Sequence, residues 1–312
     1  MADGTFGVTG DRVPARSGRP GPRHLRVPAV PRDEVVVRCT AADALPDLIA
    51  VLGLAAEGRL RCAGTSRRPL AAAVRLAGAA LAAGDYYGDA DDDGEPIAAF
   101  AWPMLLQIGG LARLSGTTLE VTPRGRAALA QPSGQVLGAL RERWRASVSH
   151  DELSRVEAIR GQRTAGTLAP VAGRRAAVIA GLTALEPGVW VDVDAFFAIL
   201  RTQAAPLAVS AGPLARWRLH LEDPRHGSLG PAGWKAWDII EGRYALCVLF
   251  EYAATLGVVD VAYTGPRGAR GDYRGLWGTE DRDHLSRYDG LAAVRVSELG
   301  AGFLHDPGSP GT

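Results

Sequence analysis

The sequence predicts an α+β fold, mainly helical, arranged as two modules that each close on a small antiparallel β-ribbon. Three observations point to it. The same order of signals occurs twice: in the first copy a helix ends at Gly109-Gly110, Leu111–Leu114 alternates, Ser115-Gly116-Thr117 turns, Thr118–Val121 alternates again, and Thr122-Pro123 opens a short helix. In the second, Gly257 ends a helix, Val258–Tyr263 and Leu291–Val296 read as strands flanking a long loop, and Ser297 opens the closing helix. Finally, 47% of the 312 residues are hydrophobic, ample for a core, and no apolar run approaches the length of about 18 residues that spans a bilayer.

Taken in order, residues 1–33 hold six arginines and five prolines among few apolar side chains, the composition of a disordered basic arm. Glu34–Arg38 reads as a short strand. Ala44–Glu57 repeats Leu45, Leu48, Ile49, Leu52 and Ala56 at helical spacing behind Asp43 as N-cap. Arg59–Cys62 alternates like a strand. Thr65 or Ser66 caps a helix with Pro69 in its first turn, running to Gly84. Ala98–Ile108 is an uncharged helix, and the first ribbon and short helix complete a module over 34–132. Residues 133–172 read as a helical connector, with helices at Leu137–Arg145 and Glu152–Arg163. The second module, 173–306, has a helix at Arg174–Leu185, a strand stub at Trp190-Val191, and a helix at Ala195–Gln203 capped by Asp192 or Asp194. A strand at Trp217–Leu221, a long helical region at Gly233–Leu256 and the second ribbon follow, with a tail at 307–312. Helix, strand, helix, helix, strand, strand is the order of a winged helix, so the expectation is tandem winged-helix modules.

The two endings, and Arg174–Arg201 with Gly188-Val189-Trp190 between its helices, resemble the tandem winged-helix regions of bacterial DNA-associated proteins. Among these, the resemblance is to the N-terminal region associated with XPB-type helicases. It covers residues 40–130 and 173–305 and rests on Val121-Thr122-Pro123-Arg124-Gly125 and Val294-Arg295-Val296-Ser297-Glu298-Leu299-Gly300. It implies helix-turn-helix DNA binding beside a helicase in a multi-component system. The motor itself is absent: no Gly-x-x-x-x-Gly-Lys-Ser/Thr loop occurs, and the only lysine is Lys235.

Net charge is +1, so a basic surface must be local. Arginine in place of lysine, with abundant Ala and Gly, is the mark of coding bias in a GC-rich genome and is not by itself a sign of phosphate recognition. The cysteines, Cys39, Cys62 and Cys247, lack metal-ligand spacing and fit reduced thiols in a cytosol. With no signal-peptide core in residues 1–33, a cytoplasmic protein without a membrane anchor is expected.

Nucleic-acid contacts are expected at Arg67, Arg68 and Arg75, around a helix start whose free N–H groups favour an anion, and in the long loop. There Arg267, Arg270, Arg274, Arg282 and Arg287 interleave with Tyr273 and Trp277, as in surfaces that pair backbone contact with base stacking. A loop packed on its own core is the competing reading. The stretch from Arg141 to Arg175 adds eight arginines against four acids, several at pairing distance, as Glu142 is from Arg145. Both helices preceding the ribbons are almost uncharged, the mark of buried helices rather than of helices that read bases. Six scattered histidines form no ligand pair, and no nucleophile elbow appears. Asp89–Gly94 imitates a calcium loop but has Phe100 where the bidentate Glu belongs. No catalytic residue, metal or cofactor is expected. The reading is a non-catalytic protein that binds DNA backbone with little sequence specificity. The alternative is an adaptor docking a helicase, nuclease or chromosome-organising partner.

Overall fold

A computed structural model of the chain describes residues 35–88, 95–223, 227–229, 237–275, 279 and 282–305. The expected basic arm at 1–33, the acidic turn Asp89–Gly94, Trp277 and the 307–312 tail lie outside the described residues.

In the first half, α1 (Ala44–Ala56) buries Leu48, Val51, Leu52, Leu54 and Ala55; of the face expected inside, Leu48 and Leu52 are buried, Leu45 and Ile49 half-buried and Ala56 exposed. α2 (Ala71–Ala80) and α3 (Ala98–Ile108) pack beside it. Every residue of α3 from Ala98 to Leu106 is buried, which explains its lack of charge. Its N-terminus is satisfied from a distance: the Asp85 carboxylate accepts the N–H groups of Ile97, Ala98 and Ala99 at 3.1, 2.9 and 3.1 Å. The ribbon β2 (Ala112–Ser115) and β3 (Thr118–Val121) pairs antiparallel with Ala112 opposite Val121, and Arg61 bridges to Thr118 as a third line of backbone. Thr122 caps α4 (Pro123–Ala130), accepting from Gly125 N at 3.1 Å while donating to Gly110 O at 2.7 Å.

The second half follows α5 (Gly134–Ala146) and contains α6 (Val171–Thr183), β5 (Trp190–Asp192), α7 (Val193–Thr202) and α8 (Pro213–Arg216). Asp192 caps α7, its carboxylate accepting Asp194 N at 2.8 Å. A central helix over 238–253 has α9 (Arg243–Cys247) at its middle, with wider π-type turns at Asp238–Gly242 and Val248–Ala253. Gly257, at φ +70°, ends the helical region as expected of a C′ glycine. β8 (Val259–Tyr263), β9 (Leu291–Val296) and α10 (Glu298–His305) close the half, and Ser297 Oγ accepts Gly300 N at 2.9 Å.

Strand order in the main sheet is β1-β8-β9-β5, antiparallel throughout, where β1 is Val36–Arg38. The strand that opens the first half thus edges the sheet of the second. Thr40 N–H donates to Asp260 Oδ1 at 2.9 Å beside it. Arg141 of α5 adds a second tie, its Nε and Nη2 donating to Leu256 O at 3.0 and 2.9 Å.

Three expectations change. Glu152–Arg163 is not a helix: Glu152–Arg155 is a single 3-10 turn and Ile159–Arg160 is β4, paired with β6 (His220–Asp223), which in turn pairs with β7 (Gly227–Leu229). Glu152 and Arg155 turn inward to pair with Arg175 and Glu251, and Ile159–Arg160 is drawn out as an edge strand of the β4-β6-β7 sheet. The strand expected from Trp217 begins only at His220, because α8 and the turn after it occupy 213–218. Pro69 lies before α2 rather than inside it, bridged to Cys62, in a turn where Arg67 takes φ +59°.

A Cβ built on Gly300 would stand 1.9 Å from the carbonyl oxygen of Val258, so α10 docks on β8 only because that side chain is absent. Gly300→Ala is expected to lower unfolding free energy by about 1–3 kcal/mol, read as a shifted urea midpoint; an unchanged midpoint would refute this docking.

Candidate nucleic-acid interface

The central helix carries three charges into the core, and burial forces each to find a partner. Arg243, wholly buried, donates from Nη1 and Nη2 to Asp272 at 2.7 Å each, and from Nε and Nη2 to Asp289 at 3.1 Å each. Glu251 accepts Arg155 Nε at 3.0 Å on both oxygens and the Tyr288 hydroxyl at 2.5 Å. Glu241 accepts both ends of the Arg216 fork at 2.7 Å. Beside the helix, Arg175 is wholly buried on Glu152 at 2.6 Å, and Arg174 grips Asp151 at 2.9 and 2.6 Å. Burial pulls the Arg155 guanidinium down, but the Glu251 charge outweighs it and holds the group above its ordinary range. Burial would raise the Asp272 carboxyl, yet Arg243 and Arg270 hold it below the usual range.

These pairs decide the fate of the long loop. Tyr273 is wholly buried and its hydroxyl donates to Arg282 O at 2.8 Å. Arg270 bonds Asp272 at 2.8 Å and Asp194 at 2.5 Å and stacks 5.1 Å over Phe197. Arg287 is buried and pairs with Glu95. Tyr273, Arg270 and Arg287 are therefore turned inward rather than out to a ligand, and this part of the loop is clamped from within by Arg243. Arg282 is half-buried. Arg267 and Arg274 are exposed on the outer side of the loop, and Trp277 lies outside the described residues. The signal for the inward packing was present in the sequence: Arg243 and Glu251 stand in an otherwise apolar helix, and such charges require partners from elsewhere in the chain.

The first arginine group is also rearranged. Arg68 Nη2 donates to Ser154 O at 2.5 Å, and Glu157 lies 3.8 Å from its guanidinium. It serves the 151–157 segment rather than the first turn of α2, so the expected clamp at that helix start is not formed by Arg68. What forms instead is a cleft of about 730 Å³ between the 61–70 turn and residues 151–168, lined by Arg68, Arg160, Arg163, Gln162, Asp151 and Glu157 among others. The lining holds three arginines against two acids, Asp151, which Arg174 matches, and Glu157, which lies beside Arg68. Arg67 and Arg75 are exposed but do not line it. The sequence had placed Arg160 and Arg163 in a helix; only β4 and its pairing with β6 bring them opposite Arg68.

No group of His, Cys, Asp and Glu among the described residues is placed to hold a metal ion. His150 is buried, its Nε2 2.6 Å from the Tyr252 hydroxyl. No family model, no curated protein and no solved structure matches this chain.

Glu251→Ala would strand Arg155 in the core, and a loss of about 3–5 kcal/mol is expected, against less than about 0.5 kcal/mol for exposed Arg75→Ala; denaturant titration of both variants checks the contrast. Burial also pulls the His150 imidazole below its ordinary 6.5, against the opposing charges of Glu152 and Asp151. The unfolded chain then takes up that proton first, so the contribution is whole above about pH 6.5 and is lost as pH falls through the folded value. His150→Gln should flatten the decline in urea midpoint between about pH 7 and pH 5; a decline as steep as in the parent protein would count against it.

Proposed function

We propose that this chain is a non-catalytic DNA-binding protein of two winged-helix modules that grips phosphate backbone and reads little sequence. In each half the strand after the first helix lies against the second ribbon strand: β5 on β9, and Arg61 on Thr118 of β3. That arrangement, with the helix order and the resemblance to regions associated with XPB-type helicases, supports the winged-helix reading. With the helices before the ribbons buried, neither can enter a major groove, which favours sequence-tolerant contact. The observation that carries the proposal is the cleft lined by Arg68, Arg160 and Arg163, whose arginines outnumber its two acids. No helix of the described residues is long and apolar enough to cross a membrane.

One surface favours the adaptor reading. Leu214 and Trp217, three residues apart around α8, are 86% and 70% exposed, an apolar pair suited to a protein partner.

Anisotropy titration with labelled duplex and single-stranded DNA at about 50 mM salt should give dissociation constants in the range of about 10⁻⁴–10⁻⁶ M that weaken steeply as salt rises. Arg160→Ala with Arg163→Ala should weaken all sequences alike and reduce the salt slope by about 2. No binding of either DNA at protein concentrations up to about 10⁻⁴ M overturns the proposal. A stoichiometric partner that survives nuclease treatment and is lost with Trp217→Ala would favour the adaptor.

A further inference from the structure

A second basic feature lies away from the cleft and has a different character. α4 and α5 are joined by three residues, Gln131, Pro132 and Ser133, and between them runs a groove of about 360 Å³, within the size range of small-molecule sites. Its only charged lining groups are Arg124 and Arg143, with no carboxylate among the rest. Neither guanidinium has a hydrogen-bond or ion-pair partner among the described residues, although both are described and exposed. Arginines close by are engaged: Arg113 with Glu120, Arg126 with Val121 O, Arg145 with Glu142. Two like charges brought to one groove without a counter-ion repel each other, and an anion between them removes that repulsion.

The remaining lining narrows the anion. Leu111, Val136 and Leu140 supply an apolar floor, and Gln131 and Gln135 bring amides to the exposed rim. The Gly109-Gly110 turn is shaped to admit the α5 side chains. A Cβ on Gly109 would meet Leu140 Cδ1 at 2.5 Å, and Gly110, at φ +63°, lies where a Cβ would meet Arg143 Nη1 at 3.4 Å. Ser133, the N-cap of α5, makes no side-chain capping bond, so its hydroxyl is available at the mouth of the groove. Paired planar cations suit a phosphoryl group, which accepts two forks at once. An apolar floor flanked by amides suits a flat ring with polar edges.

We infer that the α4–α5 groove binds a nucleoside phosphate, its phosphoryl group between Arg124 and Arg143 and its base on Leu111 and Leu140. The ligand is either free or the phosphorylated end of a strand. None of its residues lines the Arg68 cleft, so the site stands or falls separately from backbone binding.

Titration calorimetry on the full chain with adenosine monophosphate, adenosine and inorganic phosphate tests it. The monophosphate is expected to bind, phosphate more weakly, and adenosine not measurably. Arg124→Ala and Arg143→Ala should each weaken the monophosphate by about tenfold or more. Ala139→Glu, at an exposed lining position, should abolish binding by placing a carboxylate beside the arginines, with an unchanged melting temperature as the control for folding. A 5′-phosphorylated oligonucleotide that displaces the monophosphate, where its 5′-hydroxyl twin does not, assigns the site to strand ends; displacement by neither assigns it to the free nucleotide. No heat with the monophosphate at millimolar concentration, or binding unchanged in the Arg124→Ala, Arg143→Ala double variant, overturns the inference. Circular single-stranded DNA, which has no ends, reports on the Arg68 cleft alone, so each proposal can fail while the other holds.

Discussion

The buried charges of the central helix impose the condition that the rest of the structure meets. Arg243 and Glu251 have no access to water, and removing a charge from water without a matched partner costs more than the surrounding apolar contacts return. Their partners come from far along the chain. Asp272 and Asp289 bring in the long loop after β8, Arg155 brings in the 3-10 turn of the connector, and Tyr288 brings in the approach to β9. Glu241 adds α8 through Arg216 and accepts Val209 N–H at 3.2 Å. One helix thereby gathers irregular segments that have little regular secondary structure to hold them. The wider π-type turns on either side of α9 coincide with the helical residues that carry Glu241 and Glu251.

The same condition shapes the outer surface. The chain has 35 basic residues, all but one arginine, and many are consumed inside: Arg141, Arg155, Arg174, Arg175, Arg243 and Arg287 are all buried. A fork-shaped cation that stays charged and bonds two acceptors at once is the side chain best fitted to that work. Beyond these, the Arg68 cleft and the α4–α5 groove each bring more than one guanidinium group to a single concavity. A protein of nearly balanced charge can attract phosphate only at such places.

The two halves are also not independent bodies. β1, from the start of the described chain, edges the sheet of the second half, and Arg141 of α5 closes the last carbonyl before Gly257. Contacts of this kind, with the Arg155–Glu251 pair, hold the ribbons and the two basic features in a set relation to each other.

Local signals in the sequence determined much of this protein. Helical spacing located α1, α3 and α7; the Gly and Thr-Pro punctuation located both ribbons and α4; and the near absence of charge in Ala98–Ile108 and Tyr244–Leu256, where Glu251 alone is charged, marked those helices as buried, because periodicity and capping act within a few residues. Tertiary structure alone decided where the arginines went. Arg270, Tyr273 and Arg287 read as an exposed, stacking loop because charge and aromaticity look the same whether a side chain faces water or a buried counter-charge. The inward direction came from Arg243, some 30 residues away in the chain. Likewise Arg160 and Arg163 meet Arg68 only through the β4–β6 pairing, and Arg124 meets Arg143 only across the turn between two helices. Ion pairing carries no sequence period, so its partners are settled only when the chain has closed on itself.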